Sequence, residues 1–299
     1  MPLCHHKWIG SGVDMYGEPL GGQTVLPVWP IVKRSYGFVW QHRRLLALPL
    51  VIVFLLHAAA TAGSLALQSL LGKWSAIPNL IWTTCVLICL MSFVVGLHRT
   101  VLLDEDRPGT AFLHWDEALW SYFKAWLKLT LASAGIAFVL TLAGILTMTF
   151  TVGQAGLLQS FSNHQVSLFV ALAAGLLLVV ILTTRLSLAF PAAALGETRV
   201  FKLSWGLTGN AWPRLVAVFL LVSLPFLAGS LLFSLPLLAG TLAVKLNGGS
   251  LLDQLNALFL ASFVLSAFLK AVSTAVLTVT LSLSYAHLAP RYRDAFAQG

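Results

Sequence analysis

Six long apolar runs, separated by short polar segments, restrict the possible folds of this chain of 299 residues more than any other feature. Each run is long enough as a helix, at ~1.5 Å per residue, to cross a hydrocarbon core of about 30 Å. Because a spanning helix satisfies its own backbone hydrogen bonds, the predicted fold is all-α, a polytopic transmembrane helical bundle of about six spans. The runs cover residues 45–71, 79–97, 127–150, 166–195, 215–244 and 255–288.

Composition supports a membrane protein and excludes most soluble classes. The chain is 58% hydrophobic and 9% charged, whereas soluble domains carry about 25% charged residues. Its net charge of +8 does not point to nucleic acid, because the basic residues sit beside apolar spans and form no patch on a soluble domain. Anionic lipid headgroups are the expected partners of these residues.

Three parts follow from this pattern. Residues 1–29 are predicted to be an irregular cytosolic N-terminus without a cleavable signal peptide, and 291–299 a cytosolic tail. Residues 30–290 form the six-helix transmembrane domain. The segments SYGFVWQHRRLL, SYFKAWLKL and SWGLTGNAWPRL each precede a pair of spans, which suggests three hairpin repeats over 30–97, 111–195 and 200–288. The alternative is that every cytosolic elbow independently selects aromatic and basic residues.

These aromatic and basic segments predict interfacial amphipathic helices at the cytosolic elbows. Tryptophan, tyrosine and arginine favour the headgroup level, where part of the side chain is apolar and part meets water. The candidate interfacial anchors are Tyr36, Trp40, Arg43, Arg44, Trp120, Tyr122, Trp126, Trp205, Trp212 and Arg214.

The distribution of lysine and arginine predicts the orientation. Fourteen of these residues fall on one side of the six spans and two, Lys73 and Lys245, on the other. Cytosolic loops are enriched in basic residues, so both termini are expected in the cytosol. The fourteen are Lys7, Lys33, Arg34, Arg43, Arg44, Arg99, Arg107, Lys124, Lys128, Arg199, Lys202, Arg214, Arg291 and Arg293.

Two elbows and the last run resemble a known group. The patterns are RLSLAFPAAAL followed by KLSWGLTGNAWPRL, the stretch LHRTVLLDEDRPG, and the ending LSLSYAHL. They resemble bacterial six-span proteins that include the membrane domain of some glycerophosphodiester phosphodiesterases and the YciC-like inner-membrane proteins. The resemblance implies a multi-pass protein of a bacterial inner (plasma) membrane. It implies little about activity, and the soluble phosphodiesterase domain of the larger members does not occur in this sequence.

Two basic residues lie within apolar runs and form the candidate intramembrane polar site. If the fourth helix continues to Leu195, Arg185 lies ~15 Å inside its end; it either contacts an anion or snorkels to the surface. Lys270 lies inside a run of 34 residues. Either it sits at the outer interface, with the preceding residues forming a ledge, or it is buried in one long tilted helix.

No pattern in the chain predicts catalysis, a cofactor or a metal site. All ten acidic residues fall outside the confident spans, although coupled transport usually needs an intramembrane carboxylate. No nucleophile, zinc or phosphate-loop motif occurs. The first hypothesis is therefore a non-enzymatic scaffold, accessory subunit or envelope-related factor, acting with a membrane-protein partner or as a homo-oligomer. The alternative is a transporter or lipid-handling protein with a site near Arg185. Small residues such as Gly63 and the pair Ala171 and Gly175 are expected to close the bundle.

Overall fold

A computed structural model describes residues 26–103, 116–152, 173–247 and 251–289, and every regular element within them is helical. Most of the predicted N-terminal region, the tail and Ala171 lie outside the described residues. The helices are α1 (Val28–Gln41), α2 (Arg43–Leu71), α3 (Ala76–Leu103), α4 (Glu117–Val152), α5 (described over 173–186), α6 (Ala189–Ala194), α7 (Val200–Leu207), α8 (Trp212–Asn247) and α9 (Leu251–Leu288), with a 3₁₀ turn at Gly72–Trp74.

Six helical segments among the described residues are long and apolar enough to cross a membrane, which confirms the predicted fold class. Each satisfies its backbone internally, so its apolar side chains can face lipid. The segments are Arg43–Trp74, Ala76–Leu103, Glu117–Gly144, Ala173–Ala194, Trp212–Leu232 and Ser262–Leu288.

Helix α9 is the centre of the bundle, since it packs against α1, α2, α3, α6 and α8. Ala267, Ala271, Ala275 and Val279 follow one another at intervals of four residues, and each is at most 2% exposed. This spacing places them on one face of the helix. Small side chains there let neighbouring backbones approach closely, which favours helix association in lipid.

The core occupies one end of the bundle, which we call the elbow end: the start of α2, α4 and α8 and the end of α3, α5 and α9, together with α1, α6 and α7. The buried residues of α3 lie mainly in its second half, and those of α9 run to Ala289. The opposite halves expose large apolar side chains, as in a surface that meets lipid. Examples are Leu70, Trp74, Ile77, Leu80, Leu131 and Leu232.

Each helical hairpin contains a glycine pressed against a bulky side chain of the paired helix. A Cβ added at any of these glycines would meet that side chain at or below ordinary contact distance. The prediction that small residues close the bundle is confirmed for Gly63 and Gly175. The glycines and the residues they face are Gly63 and Trp82 in α2–α3, Gly175 and Leu140 in α4–α5, and Gly229 and Leu269 in α8–α9.

The fourth span does not continue to Leu195 as one helix. Helix α5 ends at residue 186, and α6 begins at Ala189. Pro191 explains the break, because a proline lacks an N–H and its ring clashes with the carbonyl four residues earlier, here that of Ser187. Gly196 then ends α6 with φ +80°. Its N–H bonds to the Ala193 carbonyl and the next N–H to that of Ala192, a Schellman ending.

The elbows differ from one another. Separate helices α1 and α7 precede α2 and α8, in line with the predicted interfacial helices. The second aromatic-basic segment instead forms the first turns of α4. Helix α9 is unbroken across Lys270, so the residues before Ala271 continue the same helix, and Lys270 is exposed rather than buried. Pro225 lies inside α8 without ending it, as spanning helices tolerate.

Candidate functional site

The turn between α5 and α8 is built around the backbone carbonyl of Arg185. The Ser204 hydroxyl donates to this oxygen at 2.7 Å. The Thr208 hydroxyl oxygen lies 3.0 Å from it but has a nearer acceptor for its one proton, the Ser204 carbonyl at 2.7 Å. Helix ends leave carbonyls without intrahelical partners, and the Ser204 side chain of α7 supplies one here. The short helix α7 is thereby fastened against the end of α5.

The side chain of Arg185 is held by the same element. Its guanidinium carbon lies 3.6 Å from the centroid of the Trp205 ring, and Nη2 donates to the Trp205 carbonyl at 3.3 Å. Because α5 ends at residue 186, Arg185 lies in the last turn of a helix. The expectation that it sits ~15 Å inside a helix continuing to Leu195 is wrong.

The second candidate residue, Lys270, lies on a different part of the bundle. It is exposed on α9, a helix that packs against α2, where His57 lies. The Nε2 atom of His57 is buried without a hydrogen-bond partner among the described residues. No contact in the described structure joins Arg185 to Lys270, so the two do not form a common site there.

Most of the predicted anchors lie at the surface of the elbow end. Trp40, Arg43, Arg44, Trp120, Trp205 and Arg214 are exposed, and Tyr36, Trp126 and Trp212 are half-buried. The Tyr36 hydroxyl donates to the Val222 carbonyl of α8 at 2.8 Å, and burial raises the pKa of this phenol. Tyr122 departs from the prediction: it is 7% exposed and packs inward, its ring centroid 5.1 Å from that of Phe190.

A buried polar cluster at the elbow end was not predicted from the sequence. His98 is completely buried, and its Nδ1 lies 2.7 Å from Oγ of Ser282, also completely buried. Ser282 gives its own proton to the Thr278 carbonyl at 3.0 Å, so Nδ1–H of His98 is assigned as the donor between them. The Nε2 atom of His98 is buried without a hydrogen-bond partner in the described part of the chain.

The sequence carried a weak signal for this cluster. Hydroxyl residues recur at every second position in the last run, at Thr278, Thr280, Ser282 and Ser284, and all are buried. Hydroxyls within spanning helices often bond between or within helices. His98 directly follows the second apolar run, and hydropathy does not reveal that this end of the bundle closes over it.

Arg185 lines neither of two cavities on the described surface. A polar cavity of about 520 Å³ is lined by Glu197, Thr198, Arg199, Lys202, Leu203, Gly206 and Leu207. A larger groove of about 910 Å³ lies between α2 and α9. Within the described ranges, no group of three or more His, Cys, Asp or Glu side chains is placed to hold a metal ion.

A third polar contact joins α3 to α4. Arg99 Nη1 lies 3.1 Å from Oδ2 of Asp116, and Oδ1 of the same carboxylate accepts the Leu119 N–H at 3.0 Å. Asp116 thus caps the start of α4 and pairs with the end of α3. These contacts support the helix ends and place no group in an open cleft.

Neither protein-family models, nor curated proteins, nor solved structures gave a match.

Proposed function

We propose that the protein is a non-enzymatic, multi-pass protein of a bacterial inner (plasma) membrane that acts as a scaffold or accessory subunit, including in the envelope. One observation carries this proposal: the strongly polar side chains within the elbow end bond mainly to the protein itself. Arg185 is held by Trp205, His98 by Ser282, and Arg99 by Asp116. Side chains engaged in this way support a rigid body rather than a reacting site.

The proposed orientation places both termini in the cytosol. It is supported by the charge asymmetry of the sequence and by exposed tryptophans at the elbow end, such as Trp40 and Trp205. Tryptophan beside arginine favours the headgroup level, and anionic cytosolic lipid attracts each arginine near the surface by ~1 kcal/mol. The apolar halves at the other end supply the area for lipid, a membrane-protein partner or a second copy of the chain.

The alternative is a transporter or lipid-handling protein with its site near Arg185. That function requires a water-accessible cavity reaching the guanidinium at depth in the membrane. In the described structure the guanidinium instead covers an indole and donates to a carbonyl. This engagement favours the scaffold.

Replacing Arg185 separates the two functions. For Arg185→Ala under the scaffold proposal, we expect a loss of stability of about 1 kcal/mol, since a cation–π contact and one hydrogen bond are removed. Proteins that co-purify from mild detergent should be retained. Arg199→Ala is the matched control, because Arg199 is exposed at the same elbow.

Transport is measured in parallel with the same variants. Proteoliposomes containing the wild-type chain would be tested for uptake of inorganic phosphate and chloride, the anions that a guanidinium site would select. A flux that is present in the wild type, lost in Arg185→Ala and kept in Arg199→Ala would overturn the scaffold proposal. Cysteine labelling at Ser162 tests the orientation, and reaction from the cytosol would contradict it.

A further inference from the structure

The groove between α2 and α9 is large and almost wholly apolar. It has a volume of about 910 Å³, at the upper end of the range for small-molecule ligand pockets. Nine of its ten lining residues are apolar, and the tenth is Arg43. The residues are Arg43, Ala47, Leu50, Val51, Phe54, Val264, Leu265, Phe268, Ala271 and Val272.

The spacing of these residues sets the direction of the groove. Arg43, Ala47, Leu50 and Phe54 follow one another at three or four residues, so they line one face of α2. Eleven residues of helix separate Arg43 from Phe54, or ~17 Å. Half of a hydrocarbon core is about 15 Å, so the groove extends from the headgroup level through roughly one leaflet.

Small side chains keep the groove open. Ala47 projects from α2 and is exposed, while Ala271 of α9 forms the closely packed floor at 1% exposure. Phe268 and Val51 stand at the sides with 53% and 52% of their surface exposed. A long apolar chain lying between them would cover these side chains and touch the alanines.

Arg43 is fixed at the mouth of the groove by Trp40. Its guanidinium carbon lies 4.9 Å from the indole centroid, and Nη1 donates to the Trp40 carbonyl at 3.1 Å. A guanidinium has five N–H donors, and this contact uses one. The remaining donors can bind an oxyanion in the bidentate manner that arginine forms with phosphate.

We propose that the α2–α9 groove binds one anionic glycerophospholipid, with an acyl chain between Ala47 and Phe268 and the headgroup phosphate on Arg43. The length of one leaflet, the apolar lining and a cation at the headgroup end all match this ligand. The proposal goes beyond a scaffold function and needs only that the start of α2 lies at a membrane surface.

The experiment uses the full chain reconstituted in nanodiscs of equal parts phosphatidylglycerol and phosphatidylcholine. Native mass spectrometry after transfer to mild detergent identifies and counts the lipid that is retained. We expect one phosphatidylglycerol per chain. Equal retention of both lipids, retention of a free fatty acid, or no retained lipid would each overturn the proposal.

Two substitutions test the two parts of the site. Arg43→Gln should lower phosphatidylglycerol occupancy about fivefold, the factor expected for one arginine at an anionic surface. Arg44→Gln is its control, because Arg44 is also exposed but does not line the groove. An equal loss in both variants would mean a diffuse surface attraction and would refute the site.

Ala47→Phe should fill the groove and remove most of the retained lipid. Ala62→Phe is the matched control, since Ala62 is exposed on the same helix outside the groove. Val51→Trp serves as a second filling variant if Ala47→Phe does not fold. Undiminished lipid in a folded filling variant would refute the proposal. The scaffold function is read separately from the co-purifying proteins, so that either proposal can fail alone.

Discussion

Removing the hydroxyl of Ser282 should destabilise the bundle through His98. Both side chains are completely buried, and Nδ1–H of His98 donates to Oγ of Ser282 at 2.7 Å. Ser282→Ala leaves that N–H without an acceptor in a place that water does not reach. An unsatisfied buried donor costs about 1–3 kcal/mol in soluble proteins. Hydrogen bonds between membrane helices measured by double-mutant cycles reach about 1.7 kcal/mol, so we expect a loss of ~1.5 kcal/mol.

Removing the other partner of this hydrogen bond, His98, should cost less stability. In His98→Leu, Ser282 keeps a partner, because its hydroxyl donates to the Thr278 carbonyl at 3.0 Å. No polar atom is then left unsatisfied by the loss of the imidazole. When Ser282→Ala is added to His98→Leu, the further loss should be close to zero. The double-mutant cycle should therefore give a coupling energy of ~1.5 kcal/mol between the two residues.

The assay is reversible unfolding of the purified protein in mixed detergent micelles, followed by far-ultraviolet circular dichroism. Ser230→Ala is the control, because this exposed α8 serine bonds only to the Leu227 carbonyl of its own helix at 2.8 Å among the described residues. It should leave the unfolding free energy unchanged. If Ser282→Ala costs the same with histidine or leucine at position 98, the hydrogen bond does not hold α3 to α9 and the reasoning is refuted.

Three further predictions concern the helix contacts and ends. Gly63→Ala should cost about 1–3 kcal/mol of unfolding free energy in the same assay, because its Cβ would overlap the indole of Trp82 in α3. Gly135→Ala is the control and should be neutral or stabilising, because its Cβ meets nothing within 4 Å. A larger loss for Gly135→Ala than for Gly63→Ala would contradict the packing. Asp116→Asn should cost under ~1 kcal/mol because asparagine still caps α4, while Asp116→Ala should cost ~1 kcal/mol more; equal losses would exclude the cap. Burial raises the pKa of Tyr36 above 10.0, so its contribution to the free energy of unfolding is complete below pH ~10 and is lost as the pH rises through the folded-state pKa. Tyr36→Phe should therefore lessen the loss of stability at alkaline pH. An unchanged dependence of stability on pH would contradict this.

The number of spans could be predicted because it depends on local properties of the chain. Apolar runs of sufficient length specify helices in lipid whatever their neighbours are. Gly63 and Gly175 could also be predicted as contact points, since a side chain of one hydrogen lets helices approach. The residue that faces each glycine depends on how the two helices of the hairpin pack. Nothing in the sequence indicates that Trp82 would face Gly63.

Residue depth could not be predicted in the same way. Tyr122 and Trp120 share one aromatic-basic segment, yet Tyr122 is buried and Trp120 is 48% exposed. Two residues further along a helix turn a side chain by about 200°, and only the packing of α4 against α6 decides which of the two faces inward. His98 is buried for the same reason, because α9 lies against the end of α3.

The helix break between α5 and α6 changes the expected role of Arg185. With a continuous helix, its charge would lie ~15 Å from the helix end, and such a charge is a functional candidate by default. Pro191 ends that continuity, and Gly196 fixes the turn that follows. Arg185 then reaches the carbonyl and ring of Trp205, where it stabilises the elbow. The cation placed to meet a ligand is instead Arg43, because it lies at the mouth of an open groove. The lipid experiment therefore tests a site where contacts with the described residues use one of the five guanidinium donors.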